Sequence, residues 1–168
     1  MRNRRWIALL IAALLACTAA GCATDAGGDD NVLTVAMECS YAPYNWTQMD
    51  GSNGAVPISN VEGSYANGYD IMISKLICET YGWELEVVSS VWDSLVPGVQ
   101  SSTYDAVIAG QSMTADRMEQ VDMAGPYYYA NIVVVTTKDS EYADATSIAD
   151  LAGGTATAQS GTIWYDSC

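Results

Sequence analysis

Short apolar runs alternate along the chain with segments whose apolar positions recur every three or four residues. The run at 32–37 is apolar and rich in β-branched residues, which predicts a first strand. A polar, glycine-containing stretch at 48–67 then predicts a loop with room for a hairpin. Segment 70–81 has the i, i+3, i+4 spacing of a helix face, with Gly82 placed to end the helix and Asp70 to cap its first turn. The apolar residues with this spacing are Ile73, Leu76 and Ile77.

The alternation of element types continues through the middle of the chain. Segment 83–88 alternates apolar and charged residues, as a half-buried strand does, and segment 92–99 predicts a short helix. The continuous apolar run at 105–109 is typical of a buried parallel strand. A further helix is expected at 114–121. Strands and helices in this order predict an α/β fold with a mostly parallel sheet.

The last third of the chain restarts the pattern. A second long β-type segment at 127–137 ends in polar residues, and a short helix at 147–151 and a strand at 155–158 follow. We interpret residues 32–135 as a first lobe. Residues 136–168 are interpreted as a hinge crossing and the start of a second lobe that is only begun and is truncated.

The first residues have the pattern of a secretory signal. Three arginines within the first five residues are followed by an apolar run at 6–16 and by small residues up to Cys22. This run is shorter than the roughly 20 residues of a membrane span; an uncleaved anchor is the alternative. The residues before Cys22 and Cys17 resemble a bacterial lipobox. We expect a signal peptide at 1–21, a lipid anchor at Cys22 (alternatively Cys17) and a flexible tether at 22–31, which places the protein outside the cytoplasmic membrane.

The excess of acidic residues limits the classes of partner that the chain can bind. The chain has 20 Asp and Glu residues against 6 Lys and Arg residues. Because contacts with phosphates need a basic surface, nucleic acid is excluded as a partner. Three of the basic residues belong to the expected signal, so Arg117 is the only guanidinium left to recognise an anion.

The cysteines do not have the spacing of a metal site. There are five of them, with no C-x-x-C pair and no histidine in the chain. We therefore expect neither a metal nor a cofactor. An oxidising exterior permits a bridge between Cys39 and Cys78, but two separate small hydrophobic side chains are an equal alternative.

Four stretches stand out by their order and spacing. They are E-C-S-Y-A-P-Y at 38–44, G-Y-D-I at 68–71, the run from W-D-S-L-V-P-G-V-Q at 92–100 to G-P-Y-Y at 125–128, and Q-S-G-T at 159–162. Together they resemble the polar-amino-acid branch of the bacterial extracellular solute-binding proteins, family 3. One departure is Met72, where that family usually has a second acidic residue.

The resemblance implies a periplasmic-binding-protein-like fold whose two lobes close around one ligand by a hinge motion. It implies a monomer that binds a small amino acid, or a closely related solute, and delivers it to the permease of an ABC importer without chemical change. Two alternatives stand beside this function. One is an enzyme on the same fold, of the dehydratase or lytic transglycosylase type, and the other is a ligand-sensing ectodomain.

Arg117 is the main candidate for ligand recognition. A planar guanidinium can hold a carboxylate through two hydrogen bonds, and the first turn of a helix also favours an anion. The alternative is a surface ion pair with Glu119 or Asp122. Ser112 follows the strand at 105–109, where the ligands of open α/β sheets bind.

The resemblance assigns further contacts around the same ligand. The Gly110 carbonyl would meet the ammonium group, and Ser112 would help to hold the carboxylate. Tyr41 would pack on the ligand side chain, and Glu38 would contact its polar end. Two residues would face the ligand from the second lobe: Gln159 and Thr162.

Structural roles are expected next to these. Thr114 is predicted to cap a helix. The tyrosines at 127–129 are predicted to pack in the core and hinge. The alternative for 159–162 is a plain turn that leads into a helix.

Overall fold

The structure is a computed structural model that describes residues 31–168. The expected signal peptide at 1–21, the lipidation at Cys22 or Cys17, and all but the last residue of the tether at 22–31 lie outside this range. Within the range, no helix combines the length and the apolar character needed to cross a membrane.

Two small sheets organise the described residues. A parallel sheet has the strand order β6-β1-β7, and an antiparallel sheet has the order β2-β3-β5-β4. The strands are β1 Val32–Met37, β2 Ser40–Tyr41, β3 Asn45–Gln48, β4 Val56–Pro57, β5 Tyr65–Asn67, β6 Glu84–Ser89 and β7 Ala106–Val107.

The first strand lies at the centre of the parallel sheet because both of its edges have a partner. Val35 pairs with Val87 of β6 on one side and with Ala106 of β7 on the other. Strand β7 is shorter than the expected 105–109, but its parallel pairing agrees with the prediction. A hairpin was expected to be possible in the segment at 48–67. In the structure, β4 and β5 of this segment pair in antiparallel orientation.

The helices are α1 Tyr69–Tyr81, α2 Leu95–Gln100, α3 Ala115–Met118 and α4 Ile163–Asp166, with 3-10 turns at Ser52–Gly54, Trp92–Ser94 and Ile148–Leu151. The end of α1 agrees with the sequence: Gly82 has a φ of 74°, and its N–H donates to the Cys78 carbonyl. Thr114 caps α3 as expected, since its hydroxyl accepts the N–H of Arg117 at 3.2 Å. Helix α3 is shorter than the expected 114–121.

The prediction that Asp70 caps α1 is wrong. The residue before the helix is Gly68, whose φ of 130° favours glycine. A Cβ at Gly68 would lie 2.2 Å from the Tyr44 carbonyl oxygen, so only glycine allows the chain to pass this close. Asp70 thus falls inside the first turn, and its carboxylate is buried instead of meeting the helix's free N–H groups.

The predicted strands at 127–137 and 155–158 are also wrong. Neither segment pairs with a strand among residues 31–168. A strand needs a neighbour that accepts and donates its main-chain hydrogen bonds, and these two segments have none in either sheet. The helical turn expected at 147–151 is present at Ile148–Leu151, and the Ser147 and Asp150 side chains form its capping box.

One hydrophobic core joins the parallel sheet to α1 and α2. Its fully buried members come from β1, from Ala66 of β5, from Ile71 of α1, from Val87 of β6 and from Leu95 of α2. Cys39 and Cys78 are both buried as free thiols, so the structure contains two separate small side chains instead of a bridge. Burial raises the pKa of Cys39 to about 11.

Candidate functional site

The candidate residues lie where the parallel strands end. Glu38 directly follows β1, and Gly110 comes three residues after β7. Because β1 and β7 are parallel neighbours, their carboxyl ends meet at one edge of the sheet. Loops that leave this edge bring together residues that are far apart in sequence.

Arg117 is half-buried at this edge and is held by main-chain oxygens. Its Nη1 donates to the Ser112 carbonyl at 2.7 Å, and its Nη2 donates to the Gly161 carbonyl at 2.9 Å. The guanidinium carbon lies 5.4 Å from the centroid of the Trp92 ring, within cation–π range. Burial lowers the pKa of Arg117 below its ordinary value, which still leaves the group charged at neutral pH.

These contacts differ from the surface ion pair with Glu119 or Asp122. Both main-chain partners accept hydrogen bonds without neutralising the guanidinium, and the negative charge of Asp166 partly opposes the effect of burial on its pKa. An arginine has more N–H donors than the two that Ser112 and Gly161 occupy. The remaining donors can serve a carboxylate.

The turn at 159–162 packs against the same residues. The Gly161 carbonyl accepts a second hydrogen bond, from Trp92 Nε1 at 3.1 Å. Gln159 Nε2 donates to Glu38 Oε1 at 3.2 Å, across 121 residues of sequence. The turn therefore contacts both the loop after β1 and the helix that carries Arg117.

Thr162 is buried, and its hydroxyl is used locally. It donates to the Gln159 carbonyl at 2.6 Å and accepts the Tyr165 N–H at 3.3 Å, which caps α4. Residues 159–162 thus form a turn that leads into a helix, which was the alternative interpretation of this segment. The hydroxyl shapes the turn from within.

Tyr41 and Gly110 lie against each other. Gly110 has a φ of 61°, and a Cβ there would lie 3.3 Å from Tyr41 Cε1. Tyr41 stacks on Tyr44, with 4.9 Å between ring centroids. Burial, and then the negative charges of Asp70 and Glu38, raise the pKa of Tyr41. Two acidic groups therefore lie near one tyrosine.

An open cleft adjoins Glu38. It has a volume of about 250 Å³, and its lining is Glu38, Ser40, Ser89, Ser90 and Val91. Hydroxyls and one carboxylate dominate this lining, so the cleft suits a polar or cationic group. Among residues 31–168, no three His, Cys, Asp or Glu side chains are assembled closely enough to hold a metal ion.

Comparison with known proteins identifies the family. The sequence model of the bacterial extracellular solute-binding proteins, family 3, matches residues 33–150. The chain belongs to this family. The α/β class and the family resemblance expected from the sequence are thereby confirmed.

Several curated proteins of known binding type are similar to this family member. The arginine-binding extracellular protein ArtP of Bacillus subtilis (strain 168) is 28% identical over 163 residues, which are 95% of this chain and 57% of ArtP. The L-cystine-binding protein TcyA of the same organism is 31% identical over 170 residues, which are 93% of this chain and 56% of TcyA. The octopine-binding periplasmic protein of Rhizobium meliloti is 29% identical over 122 residues, which are 73% of this chain and 37% of that protein. This chain spans about half the length of ArtP and TcyA.

Solved structures include similar chains. The arginine-bound form of truncated ArgBP from T. maritima matches 58% of this chain and 40% of its own, with 24% identity and a TM-score of 0.48. An ancestral cationic amino acid solute-binding protein matches 58% of this chain and 37% of its own, with 26% identity and a TM-score of 0.48.

The structure brings together all seven residues singled out from the sequence of this family member. Contacts link five of them through the 159–162 turn, whereas Tyr41 and Gly110 lie next to each other without a contact to that turn. What it does not provide is a side-chain contact for Ser112, whose carbonyl rather than hydroxyl meets Arg117. The residues are Glu38, Tyr41, Gly110, Ser112, Arg117, Gln159 and Thr162.

Sequence reasoning missed two residues at this edge, Asp70 and Tyr127. Tyr127 donates its hydroxyl proton to Asp70 Oδ1 at 2.7 Å, and the Tyr127 hydroxyl oxygen accepts the N–H of Gly110 at 3.0 Å. A signal for Asp70 was present: it precedes Ile73 by three and Ile77 by seven residues, which places it on the apolar face of α1. An acid on such a face needs buried partners.

Proposed function

We propose that this protein binds an amino acid, or a closely related solute, outside the cytoplasmic membrane and delivers it to the permease of an ABC importer. One observation carries the proposal. The 159–162 turn contacts Glu38 through Gln159 and the charged guanidinium of Arg117 through the Gly161 carbonyl. Binding proteins named for arginine, cystine and octopine support the amino-acid class.

Arg117 would take the carboxylate of the ligand. Its charge is not neutralised by its main-chain partners, and a guanidinium matches the geometry of a carboxylate. Each charge-assisted hydrogen bond of this kind contributes about 1.5–3 kcal/mol. Ser112 would add an N–H or hydroxyl donor to the same carboxylate.

The part of the site formed by Gly110, Tyr41 and Glu38 suits a positively charged group. The Gly110 carbonyl would accept from the ligand ammonium, and the Tyr41 ring would cover the ligand side chain. Glu38 borders the open cleft and would contact the polar end of that side chain. A cationic or amide side chain fits this arrangement best.

Gln159 and Thr162 would close the site from the other side. The turn that carries them reaches Trp92 and Arg117 through the Gly161 carbonyl. A hinge motion that moves this turn would open and close access to the guanidinium. The lobes at 32–135 and 136–168 belong to this proposal.

Anchoring would keep the ligand close to its importer. We place the lipid at Cys22, or at Cys17, with residues 22–31 as tether. A lipidated cysteine with more than one acyl chain binds a membrane stably. The protein would act as a monomer, without cofactor and without chemistry on the ligand.

A thermal-shift screen of the whole protein, purified from its source, tests this function. A ligand at 100 times its Kd should stabilise the fold by about 2.7 kcal/mol. We expect one class of amino acid to raise Tm, Arg117→Ala to abolish this rise, and Lys138→Ala, which removes an exposed cation elsewhere, to retain it.

Two results would contradict the proposal. If no amino acid shifts Tm, the ligand class is wrong, and other small carboxylates and the dehydratase or transglycosylase activities are to be assayed next. If Arg117→Ala retains the full shift, the guanidinium is not the carboxylate site. Signalling without uptake in cells would favour the sensing ectodomain.

A further inference from the structure

Asp70 is a fully buried acid with two hydrogen-bond partners from distant parts of the chain. Its side chain is 0% exposed. Oδ2 accepts from Asn45 Nδ2 at 2.7 Å, and Oδ1 accepts from the Tyr127 hydroxyl at 2.7 Å. A buried carboxylate is costly unless it is hydrogen-bonded, so these two partners are bound firmly to it.

The first partner leads to the loop after β1. Asn45 Oδ1 accepts the Cys39 N–H at 2.8 Å, and the Thr47 hydroxyl donates to the Cys39 carbonyl at 2.8 Å. Cys39 has a φ of 56°, a left-handed conformation that a non-glycine residue adopts only when its surroundings hold it there. This peptide lies between Glu38 and Tyr41 and sets the direction in which both leave the strand.

The second partner leads to the loop after β7. The Tyr127 hydroxyl has one proton, which it donates to Asp70. Its oxygen is therefore left as an acceptor, and the Gly110 N–H donates to it at 3.0 Å. Burial, and then the charge of Asp70, raise the pKa of Tyr127, so the phenol keeps this proton.

We propose that Asp70 is a positioning residue that holds both ligand-bearing loops, 38–41 and 110–112, in register, with Tyr127 as the relay to Gly110. Asp70 itself does not touch the ligand. The two loops have separate links to Asp70: Asn45 connects it to loop 38–41, and Tyr127 connects it to loop 110–112. The role of Asp70 in ligand binding rests on the proposed function, but its hydrogen bonds to the two loops can be tested without any ligand.

Hydrogen exchange of glycine amides tests the geometry in the whole protein. Glycine-selective isotope labelling gives separate NMR signals for Gly110 and for Gly82, whose N–H donates to the Cys78 carbonyl and serves as the internal control. In Tyr127→Phe we expect the Gly110 amide to exchange about tenfold faster while Gly82 is unchanged. Tyr129→Phe removes an exposed hydroxyl and should change neither.

Two results would overturn the relay. Unchanged Gly110 exchange would mean that other groups hold this loop. Equal acceleration at Gly110 and Gly82 would mean that Tyr127 supports the fold in general and not the loop. In uniformly labelled protein, Asp70→Asn should accelerate exchange of the Gly110 amide and also broaden or shift the Cys39 amide signal. The absence of any change at Cys39 would mean that Asp70 does not hold the 38–41 loop through Asn45.

Measurements of ligand binding test whether this hydrogen-bond geometry matters for the proposed function. An amino acid identified in the Tm screen is compared with its des-amino analogue, which keeps the carboxylate but cannot meet the Gly110 carbonyl. Tyr127→Phe should weaken the amino acid about tenfold and weaken the analogue, which still meets Ser112 of the same loop, by clearly less. Equal weakening of both would contradict positioning through Gly110. If the unmodified protein binds neither, the proposed function fails while the exchange result stands by itself.

Discussion

Residues 32–110 and residues 126–168 differ in how they use apolar side chains. The buried hydrophobic residues of the described chain all fall between Val35 and Ala109. In the second region, apolar side chains are largely exposed; Val135, for example, is 88% exposed. Both regions nonetheless contribute to the candidate site, the first through Trp92, which contacts Arg117, and the second through Gly161.

This contrast shows that an apolar, β-branched run becomes a strand only where another strand pairs with it. Segment 132–135 is as rich in β-branched residues as β1. Strand β1, however, pairs on both edges, with β6 and with β7. Composition thus identifies a candidate strand, but the partner decides whether it forms.

The largest expected effect comes from the same substitution in the two regions. Ile71→Ala removes a side chain that is 1% exposed and leaves a cavity in the core, which should cost about 2–5 kcal/mol. Ile148→Ala removes a side chain that is 89% exposed and should change stability by less than about 0.5 kcal/mol. Urea unfolding of both variants measures the contrast. Equal losses would show that the second region is as tightly packed as the first.

A smaller effect is expected from Asp70→Asn. The amide must point an N–H group at one of two donors, Asn45 or Tyr127, and a mismatch of this kind costs about 1–3 kcal/mol. Asp144→Asn changes an exposed acid in the second region and should stay within about 0.5 kcal/mol.

The effect of Asp70→Asn should also depend on pH. Burial raises the pKa of Asp70 above its ordinary 3.8, although the hydrogen bonds from Tyr127 and Asn45 oppose this shift. The native state therefore holds the proton more tightly than the unfolded chain does, and stability falls as pH rises through the raised pKa. The gap between the original protein and the variant should shrink from pH ~4 to pH ~7. A gap that widens would mean that the hydrogen bonds outweigh burial.

The smallest effect should be confined to the second region. Trp92→Phe removes the indole donor to the Gly161 carbonyl, and one such bond contributes about 0.5–1.5 kcal/mol. We expect faster hydrogen exchange in segment 159–168 and unchanged exchange in β1. Trp83→Phe is the matched control, because its ring stacks on Tyr81 away from the turn. Faster exchange throughout the chain would contradict a local role for Trp92.

Local patterns predicted the parts of the fold that depend on local physics. The i, i+3, i+4 spacing located α1 to within one residue at its start, and Gly82 marked its end, because helix periodicity and a left-handed cap are properties of adjacent residues. The cap assigned to Asp70 failed because the Tyr44 carbonyl, far away in sequence, admits only Gly68 at that point.

The candidate site was predictable in its members but not in its contacts. Arg117 followed from composition, since it is the only arginine beyond the first five residues. Its bond to Gly161 spans 44 residues and depends on where a turn of irregular backbone is placed, which no periodicity encodes. The lobe boundary at 135 and 136, and the ligand roles of the seven residues, stay predictions.

The most direct test of the account is a binding cycle between Arg117 and the ligand carboxylate. Calorimetry on the whole protein would compare an amino acid found in the screen with its carboxamide, for the original protein and for Arg117→Ala. We expect the original protein to prefer the carboxylate by at least about tenfold and Arg117→Ala to bind both equally weakly. If Arg117→Ala discriminates between the two as strongly as the original protein does, the carboxylate binds elsewhere and the central claim is wrong.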